Sequence, residues 1–129
     1  MKRAELRSEV TLPTGVRVKA TAIRSIQVTA QTPGEMAGAA LAITLRLKNS
    51  SEKPINIDSA VIGLSDAMGN PAQPTTSDPF KPFQGEVAPG ATSLGTYVFL
   101  IPKQDRNDLV LTVEYLAGQP IADFVGDAS

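Results

Sequence analysis

The chain has 129 residues, of which 42% are apolar and 19% charged, with a formal net charge of −1 at pH 7. That composition excludes a disordered chain and fits one domain that buries about two thirds of its unfolded surface. It contains no His, Cys or Trp, which removes imidazole bases, thiolate nucleophiles, disulfides and conventional zinc sites, and with them most nucleophilic hydrolases and transition-metal enzymes. The near-neutral charge gives no reason to expect nucleic acid or an anionic membrane surface as the partner, and no apolar run approaches the roughly 18 residues of a spanning helix, so no membrane insertion is expected.

Residues 1–9 offer little beyond Leu6 to dock on a core, and they are expected to form a flexible tail or stalk. A single domain then covers 10–125, and 126–129 form a loose end. From Val10 the pattern is extended, with Val16, Val18, Ala20 and Ala22 on the parity of Ile26, Val28 and Ala30. One long strand or two fits, with a bulge or a change of sheet at the doubled apolar step Ala22-Ile23. Thr32-Pro33-Gly34-Glu35 makes a turn. Between Ala39 and Asn49, Leu41, Ile43, Leu45 and Leu47 alternate with Ala42, Thr44, Arg46 and Lys48, the pattern of a strand with one face buried and one wet.

That strand ends in Asn49-Ser50-Ser51-Glu52-Lys53-Pro54, a polar turn closed by proline. Ile55 and Ile57 restart the alternation, and Ala60 to Ser65 continues it up to the turn Asp66-Ala67-Met68-Gly69-Asn70-Pro71. Residues 71–84 carry Pro71, Pro74, Pro79 and Pro82 with Phe80 and Phe83, which reads as a long loop whose aromatics either cap the core or form an exposed binding patch. Gly85 to Ala88 is a short strand, and Pro89-Gly90 suits a turn with Pro second and Gly third. Leu94 to Ile101 is apolar on both parities and is expected to be covered on both faces. Lys103 to Asn107 makes one helical turn into the alternating strand of Leu109, Leu111, Val113 and Tyr115. Gly118-Gln119-Pro120 turns again, and Ile121 with Phe124 makes a terminal edge strand. The fold class is therefore all-β, an immunoglobulin-like antiparallel β-sandwich of seven to nine strands.

Charge is uneven along the chain: residues 1–53 hold nine Lys and Arg against four acids, and 54–129 hold three against nine. Interleaved strands would turn this into cross-strand pairing, for example Arg17 or Lys19 near Glu114. Ser50 and Lys53 match Ser-x-x-Lys, but in a turn and without the partner motifs of that catalytic arrangement. Asp66, Asn70 and Asp78 are the candidate oxygen ligands for a calcium ion, against the simpler role of turn residues that bond their own backbone. Asn49-Ser50-Ser51 is formally a glycosylation sequon at an exposed turn, for which the turn role suffices. Glu35, Glu86 and Glu114 are scattered and read as solvated charge rather than a paired-carboxylate site. Phe80, Lys81 and Phe83 are the candidate partner-contact residues, being rigid, amphipathic and interleaved with proline.

The order of segments resembles a known family. The phrases Leu47-Lys48-Asn49-Ser50-Ser51 and Lys53-Pro54-Ile55 are followed by Gly69-Asn70, the loop Ser77-Asp78-Pro79-Phe80-Lys81-Pro82-Phe83, and Gly85-Glu86-Val87-Ala88-Pro89-Gly90 leading to Gly95-Thr96-Tyr97-Val98-Phe99. Together they are similar to the telokin-like, immunoglobulin-fold extracellular domains of actinobacterial envelope proteins, related to the mycobacterial immunoprotective extracellular protein. The resemblance implies an extracellular or cell-envelope location for a mature fragment lacking its signal or membrane segment. It supplies no catalytic residue. Met1 to Arg7 has the basic residues of a signal peptide but no apolar region after them. The expected function is non-catalytic surface recognition of a protein or envelope component through loops, without a cofactor. The alternative is a calcium- or carbohydrate-binding β-sandwich module, and an enzyme comes third.

Overall fold

Period-two alternation resolves into two sheets packed through their apolar faces. The computed structural model describes residues 2–6, 8–29, 37–76, 80–115 and 122–127. Its strands are β1 (Lys2–Glu5), β2 (Glu9–Thr11), β3 (Val16–Val28), β4 (Gly38–Asn49), β5 (Ile55–Asn56), β6 (Val61–Ser65), β7 (Gln73–Thr75), β8 (Glu86–Val87), β9 (Thr92–Leu100), β10 (Leu109–Glu114) and β11 (Ala122–Gly126). One sheet has the order β1-β11-β10-β6, the other β2-β3-β4-β9-β7, and β5 pairs β8 separately. Leu41, Ile43, Leu45 and Leu47 of β4 meet Leu109, Leu111 and Val113 of β10 and Phe124 of β11 in one core. Each such side chain, fully buried, contributes about 1.5–3 kcal/mol.

The all-β sandwich expected from alternation is what forms, with more strands than the seven to nine anticipated. Among the described residues the surplus consists of short edge and connecting pieces, which carry too few residues to show a period. Residues 2–6 are not a free tail. Lys2 to Glu5 pair in parallel with Ala122 to Val125, the one parallel ladder in these sheets. Leu6 is 4% exposed and packs so closely on β11 that a Cβ at Gly126 would lie 2.9 Å from its own. Gly126 correspondingly belongs to β11 rather than to a loose end. The turns anticipated at 32–35 and 118–120 lie outside the described residues.

β3 is one long strand. Its register against β4 shifts between Ala20 and Ala22, so the bulge falls on Thr21, one step before the doubled apolar pair. The shift keeps Val16, Val18 and Ala20 inward and then Ile23 inward after it, since a bulge exchanges the parity that faces the core. β4 is wet on one face only over its second half. In its first half the outer Ala40 and Ala42 are buried with Val28 and Val98, and Ile26, Phe80 and Leu100 pack against them. β9 is accordingly covered on both sides at Val98, whereas Leu94 at its other end is 58% exposed.

Both ends of β4 are fixed by buried polar side chains. At its C-terminal end Asn49 is 0% exposed. Its Nδ2 donates to Lys53 O at 2.7 Å and Val87 O at 2.9 Å, while its Oδ1 accepts from Ser51 N at 3.0 Å and Ser51 Oγ at 2.5 Å. Its backbone completes the tie: Asn49 N donates to Ala91 O, and Gly90 N donates to Asn49 O. Gly90, at φ +80°, is the third residue of the anticipated Pro89-Gly90 turn, closed by Ala91 N to Ala88 O at 2.9 Å; this is a type II turn, whose third position needs positive φ. The sequon is thus no exposed acceptor, because the Asn49 amide is spent inside the fold.

At the other end of β4, Arg106 follows the single 3₁₀ turn Lys103–Asp105 and is 2% exposed. Its Nη2 donates to Ala40 O at 3.2 Å and Ile101 O at 3.1 Å, its Nε to Ile101 O at 3.3 Å, and its Nη1 to Ser25 Oγ at 2.9 Å. Burial holds the guanidinium pKa below its ordinary value. A third tie spans the sheets, where Thr14 Oγ1 and Tyr115 Oη share a hydrogen bond of 2.8 Å.

Asn49→Ala removes the donor for Lys53 O and Val87 O and the acceptor for Ser51. Unsatisfied buried groups cost about 1–3 kcal/mol each, so the variant is expected to lose roughly 2–4 kcal/mol, read from urea unfolding; a loss below about 0.5 kcal/mol contradicts the role given to Asn49. A second prediction concerns Tyr97. Burial pushes its phenol pKa up, opposed by the hydrogen bond from Phe83 N. The unfolded chain therefore ionises first: the stability that Tyr97 contributes is complete below about pH 10 and is lost as pH rises through the folded-state value. Urea midpoints measured from pH 8 to 11 are expected to fall more steeply for the wild type than for Tyr97→Phe.

Candidate functional site: the basic outer face of the five-stranded sheet

Directly opposed residues of an antiparallel ladder share a face, so the registers of β2, β3, β4 and β9 specify the outer surface row by row. One row is Thr11, Arg17, Lys48 and Thr92, and the next is Glu9, Lys19, Arg46 and Leu94. Arg24 lies opposite Ala42 further along β3. Lys81 joins the same face by a bridge to Thr96, through Lys81 N to Thr96 O at 2.8 Å and Thr96 N to Lys81 O at 2.7 Å. Arg17, Lys19, Arg24, Arg46, Lys48 and Lys81 are half of the 12 cations in the chain. They stand against one strand carboxylate on this face, that of Glu9.

This arrangement overturns the expected cross-strand neutralisation. Glu114 pairs with Val61 in the other sheet, away from both Arg17 and Lys19. Topology is the cause. β2, β3 and β4 all come from the cation-rich first half of the chain and pair mainly with one another, whereas β6, β10 and β11 come from the acidic second half and carry Glu114 and Asp123 without a Lys or Arg, so that Lys2 and Arg3 of β1 are the cations its sheet receives from the first half. Most of the charge asymmetry along the sequence thus becomes an asymmetry between sheets, with five strand cations against Glu9 in one and two against Glu5, Glu114 and Asp123 in the other.

The fold bears a cost for this face. Arg17 lies directly across from Lys48, and Lys19 directly across from Arg46, and like charges opposite one another in a sheet destabilise it by a few tenths of a kcal/mol to about 1 kcal/mol each. Among the described residues, relief comes from the ion pair of Arg46 Nη2 with Glu9 Oε2 at 3.0 Å. Between the basic rows and the apolar half of the face stand Thr44 and Thr96, whose hydroxyls share a hydrogen bond of 3.0 Å.

The residues singled out from sequence fall elsewhere, with one exception. Asp66 Oδ1 accepts from Met68 N and Asn70 N, both at 2.9 Å, and Oδ2 accepts from Asn70 Nδ2 at 3.2 Å. The Asn70 amide above all holds the Asp66 carboxyl below the usual carboxylate range. Asp66 and Asn70 are therefore brought together as a self-bonded turn. Asp78 lies outside the described residues, and among those described no group of three or more Asp or Glu is placed to hold a metal ion.

Phe83 is 3% exposed. It packs over Gly95, where a Cβ would meet the ring and its backbone nitrogen at 3.0 Å, and its amide donates to Tyr97 Oη at 2.9 Å. It caps the core and is unavailable to a partner. Phe80 is half-buried edge-to-face against Tyr97, with ring centroids 5.8 Å apart. Of the three candidate contact residues only Lys81 is exposed, and it stands on the basic face.

Ser50 and Lys53 line an open groove of roughly 580 Å³ with Thr14, Ser51, Glu52 and Tyr115. The backbone at both ends of this segment is tied into the turn, with Ser50 N donating to Gly15 O and Lys53 O accepting from Asn49 Nδ2. Sequence reading missed Arg17, Lys19, Arg46 and Lys48 as a group. Their signal was present as alternate cations on two adjacent strands, legible only once β3 and β4 are known to pair.

The family model described as a domain of unknown function, DUF4352, matches residues 13–122. No curated protein matches the chain. Among solved structures, the chain is similar to the yjhA protein from Bacillus subtilis, with a TM-score of 0.73 at 12% identity over 96% of this chain and 99% of that one. It is also similar to a functionally unknown protein from Listeria monocytogenes EGD-e, with a TM-score of 0.62 at 13% identity over 96% and 82% of the two chains. At such identities the likeness shows the fold alone.

If the like-charged pairs cost stability, reversing one member should recover it. Lys48→Glu places a carboxylate opposite Arg17 and is expected to raise unfolding stability by about 0.5–1 kcal/mol at low salt. The gain should shrink toward zero at roughly 1 M salt, where screening reaches about 3 Å. Urea midpoints at both ionic strengths test this, and a destabilised Lys48→Glu at low salt would contradict the register-based assignment.

Proposed function

Because the chain belongs to the DUF4352 family of domains of unknown function, we propose a role for it from its own geometry: a non-catalytic recognition domain that binds an anionic partner through the basic outer face of the five-stranded sheet. The observation that carries this reading is the set of like-charged pairs, Arg17 with Lys48 and Lys19 with Arg46, kept across β3 and β4 at a cost to the fold. A surface under selection for folding alone alternates its charges. A face that concentrates one sign attracts the opposite sign and speeds its encounter.

This reading relocates recognition from the loop at 71–84 to the sheet, since Phe83 belongs to the core and Lys81 joins the cations. A site outside the cell or in the cell envelope is part of the proposal. Its support is the resemblance of the segment order to telokin-like extracellular domains, and the kinship with that family is proposed on the same ground. The non-catalytic reading is supported by a chain without His or Cys, in which the Asp66 carboxylate is committed to its own turn.

Chromatography on immobilised heparin, a soluble-type polyanion, tests the reading. The wild type is expected to be retained and released by salt. Arg17→Gln/Lys19→Gln/Lys48→Gln should elute at markedly lower salt, whereas Lys53→Gln/Lys103→Gln, two cations away from the face, should elute as the wild type does. Equal elution of all three proteins, or no retention of any, overturns the assignment.

A further inference from the structure

We infer that the anionic partner is a phospholipid bilayer, met peripherally by the flat basic half of the five-stranded sheet. The inference rests on the recognition role proposed above and adds the identity of the surface that is recognised. Four features of the face point to a plane of charge rather than to a pocket ligand or a thread-like polymer.

The first is dimensionality. Arg17 and Lys19 follow one another along β3, and Lys48 and Arg46 along β4, at a same-face spacing of about 7 Å, while the two strands lie about 4.8 Å apart. Arg24 extends the set along β3, and Lys81 extends it sideways beyond β9. A linear polyanion engages a line of such charges and leaves the others unneutralised. A bilayer presents headgroups in two dimensions and engages them together.

The second feature is relief. Three grooves are lined by the segments 13–15 and 50–56 with Tyr115, by Glu5, Leu6, Asp108 and 125–127, and by 66–68 with 104, 105 and 107. Arg17, Lys19, Arg46 and Lys48 lie outside these three, and they oppose one another directly across the β3–β4 ladder, side by side on the outer surface of the sheet.

The third is the apolar side chain among the cations. Leu94 is 58% exposed in the same row as Lys19 and Arg46. The boundary between headgroups and acyl chains takes up an apolar side chain that is flanked by Lys and Arg.

The fourth concerns aromatic residues. The rows that hold Arg17, Lys19, Arg46 and Lys48 contain none, and sequence-tolerant binding of single-stranded nucleic acid uses aromatic faces for base stacking. The only carboxylate in those rows, Glu9, is already matched by Arg46, so it does not set a repulsive charge against lipid phosphates.

Co-sedimentation with vesicles tests the inference. The expected result is binding of the wild type to vesicles of phosphatidylcholine with about one third phosphatidylglycerol, little binding to phosphatidylcholine alone, and release by salt. Arg17→Gln/Lys19→Gln/Lys48→Gln should bind on the order of a hundredfold more weakly, since each cation near an anionic surface is worth about fivefold in affinity. Leu94→Ala, at an exposed position with little bearing on folding, should weaken binding several-fold with its salt dependence unchanged. Equal binding to both vesicle types overturns the inference, as does full binding by the triple variant when its urea midpoint shows it folded. Inorganic polyphosphate serves as the separate arm. Retention of polyphosphate without vesicle binding overturns the bilayer and leaves the recognition role standing, and loss of both overturns the two together.

Discussion

The register of β4 is the constraint on which the rest of the structure depends. β4 is the middle strand of the five-stranded sheet, and a slip of one residue would exchange its faces, sending Leu41, Ile43, Leu45 and Leu47 into water and the cations Arg46 and Lys48 into the core. Apolar burial alone disfavours that slip, but the two polar anchors define the position more sharply. Asn49 has directional partners on two segments at one end, Ser51 and Lys53 of the turn that follows it and Val87 of β8. Arg106 grips Ala40 O and Ser25 at the other. Each partner is a point in space rather than an area of grease, so a shifted strand would leave buried donors and carbonyls unmatched at both ends.

The two anchors differ in kind. Asn49 is neutral and its side chain is satisfied as both donor and acceptor, so its burial carries little electrostatic cost once the turn has formed. Arg106 is a cation whose partners among the described residues are two carbonyls and a hydroxyl. A neutral leucine or methionine of similar volume would avoid the desolvation, as replacing buried charges by apolar groups often does. Arg106 does what those residues cannot, supplying a planar fork of donors to the carbonyls of Ala40 and Ile101 where β4 begins and the chain leaves β9.

Much of this fold is legible in the sequence. Period-two alternation suffices to read β3, β4, β9 and β10, because each is long enough to show which parity is apolar, and the Pro89-Gly90 and Asp66 to Asn70 turns follow from residue type. β1 escapes such reading because Lys2-Arg3-Ala4-Glu5 shows no apolar alternation, its place being set by the parallel ladder with β11. Asn49 looks like any turn residue, since nothing local reveals that Val87, 38 positions away, supplies an acceptor for its amide. Phe83 looks like a surface aromatic until Gly95 is seen to make room for it. Leu94 looks like core by composition, yet its parity sets it beside Arg46. The candidate site was the least legible part. Net charge near zero suggested no anionic partner, because a sum over the chain erases the sign of each face.

Topology converts that sum into function-bearing structure. In a sheet built from interleaved halves, the nine cations of residues 1–53 would meet the acids of the second half across each ladder. Here β2, β3 and β4 follow one another along the chain and pair in that order, so Arg17 finds Lys48 and Lys19 finds Arg46 as direct neighbours. The bulge at Thr21 then ends the basic rows. After it the outward parity of β3 passes from odd to even positions, and the outer face changes from Arg17 and Lys19 to Ala22, Ile26 and Val28, with Arg24 as the remaining cation. One inserted residue thus divides the sheet's outer surface into a charged half and an apolar half that Phe80, Ile26 and Leu100 pack against. With the inner face committed to the core and the apolar half closed over, the charged half is where this sheet meets its surroundings, and its shape and sign are set by the same register that Asn49 and Arg106 hold.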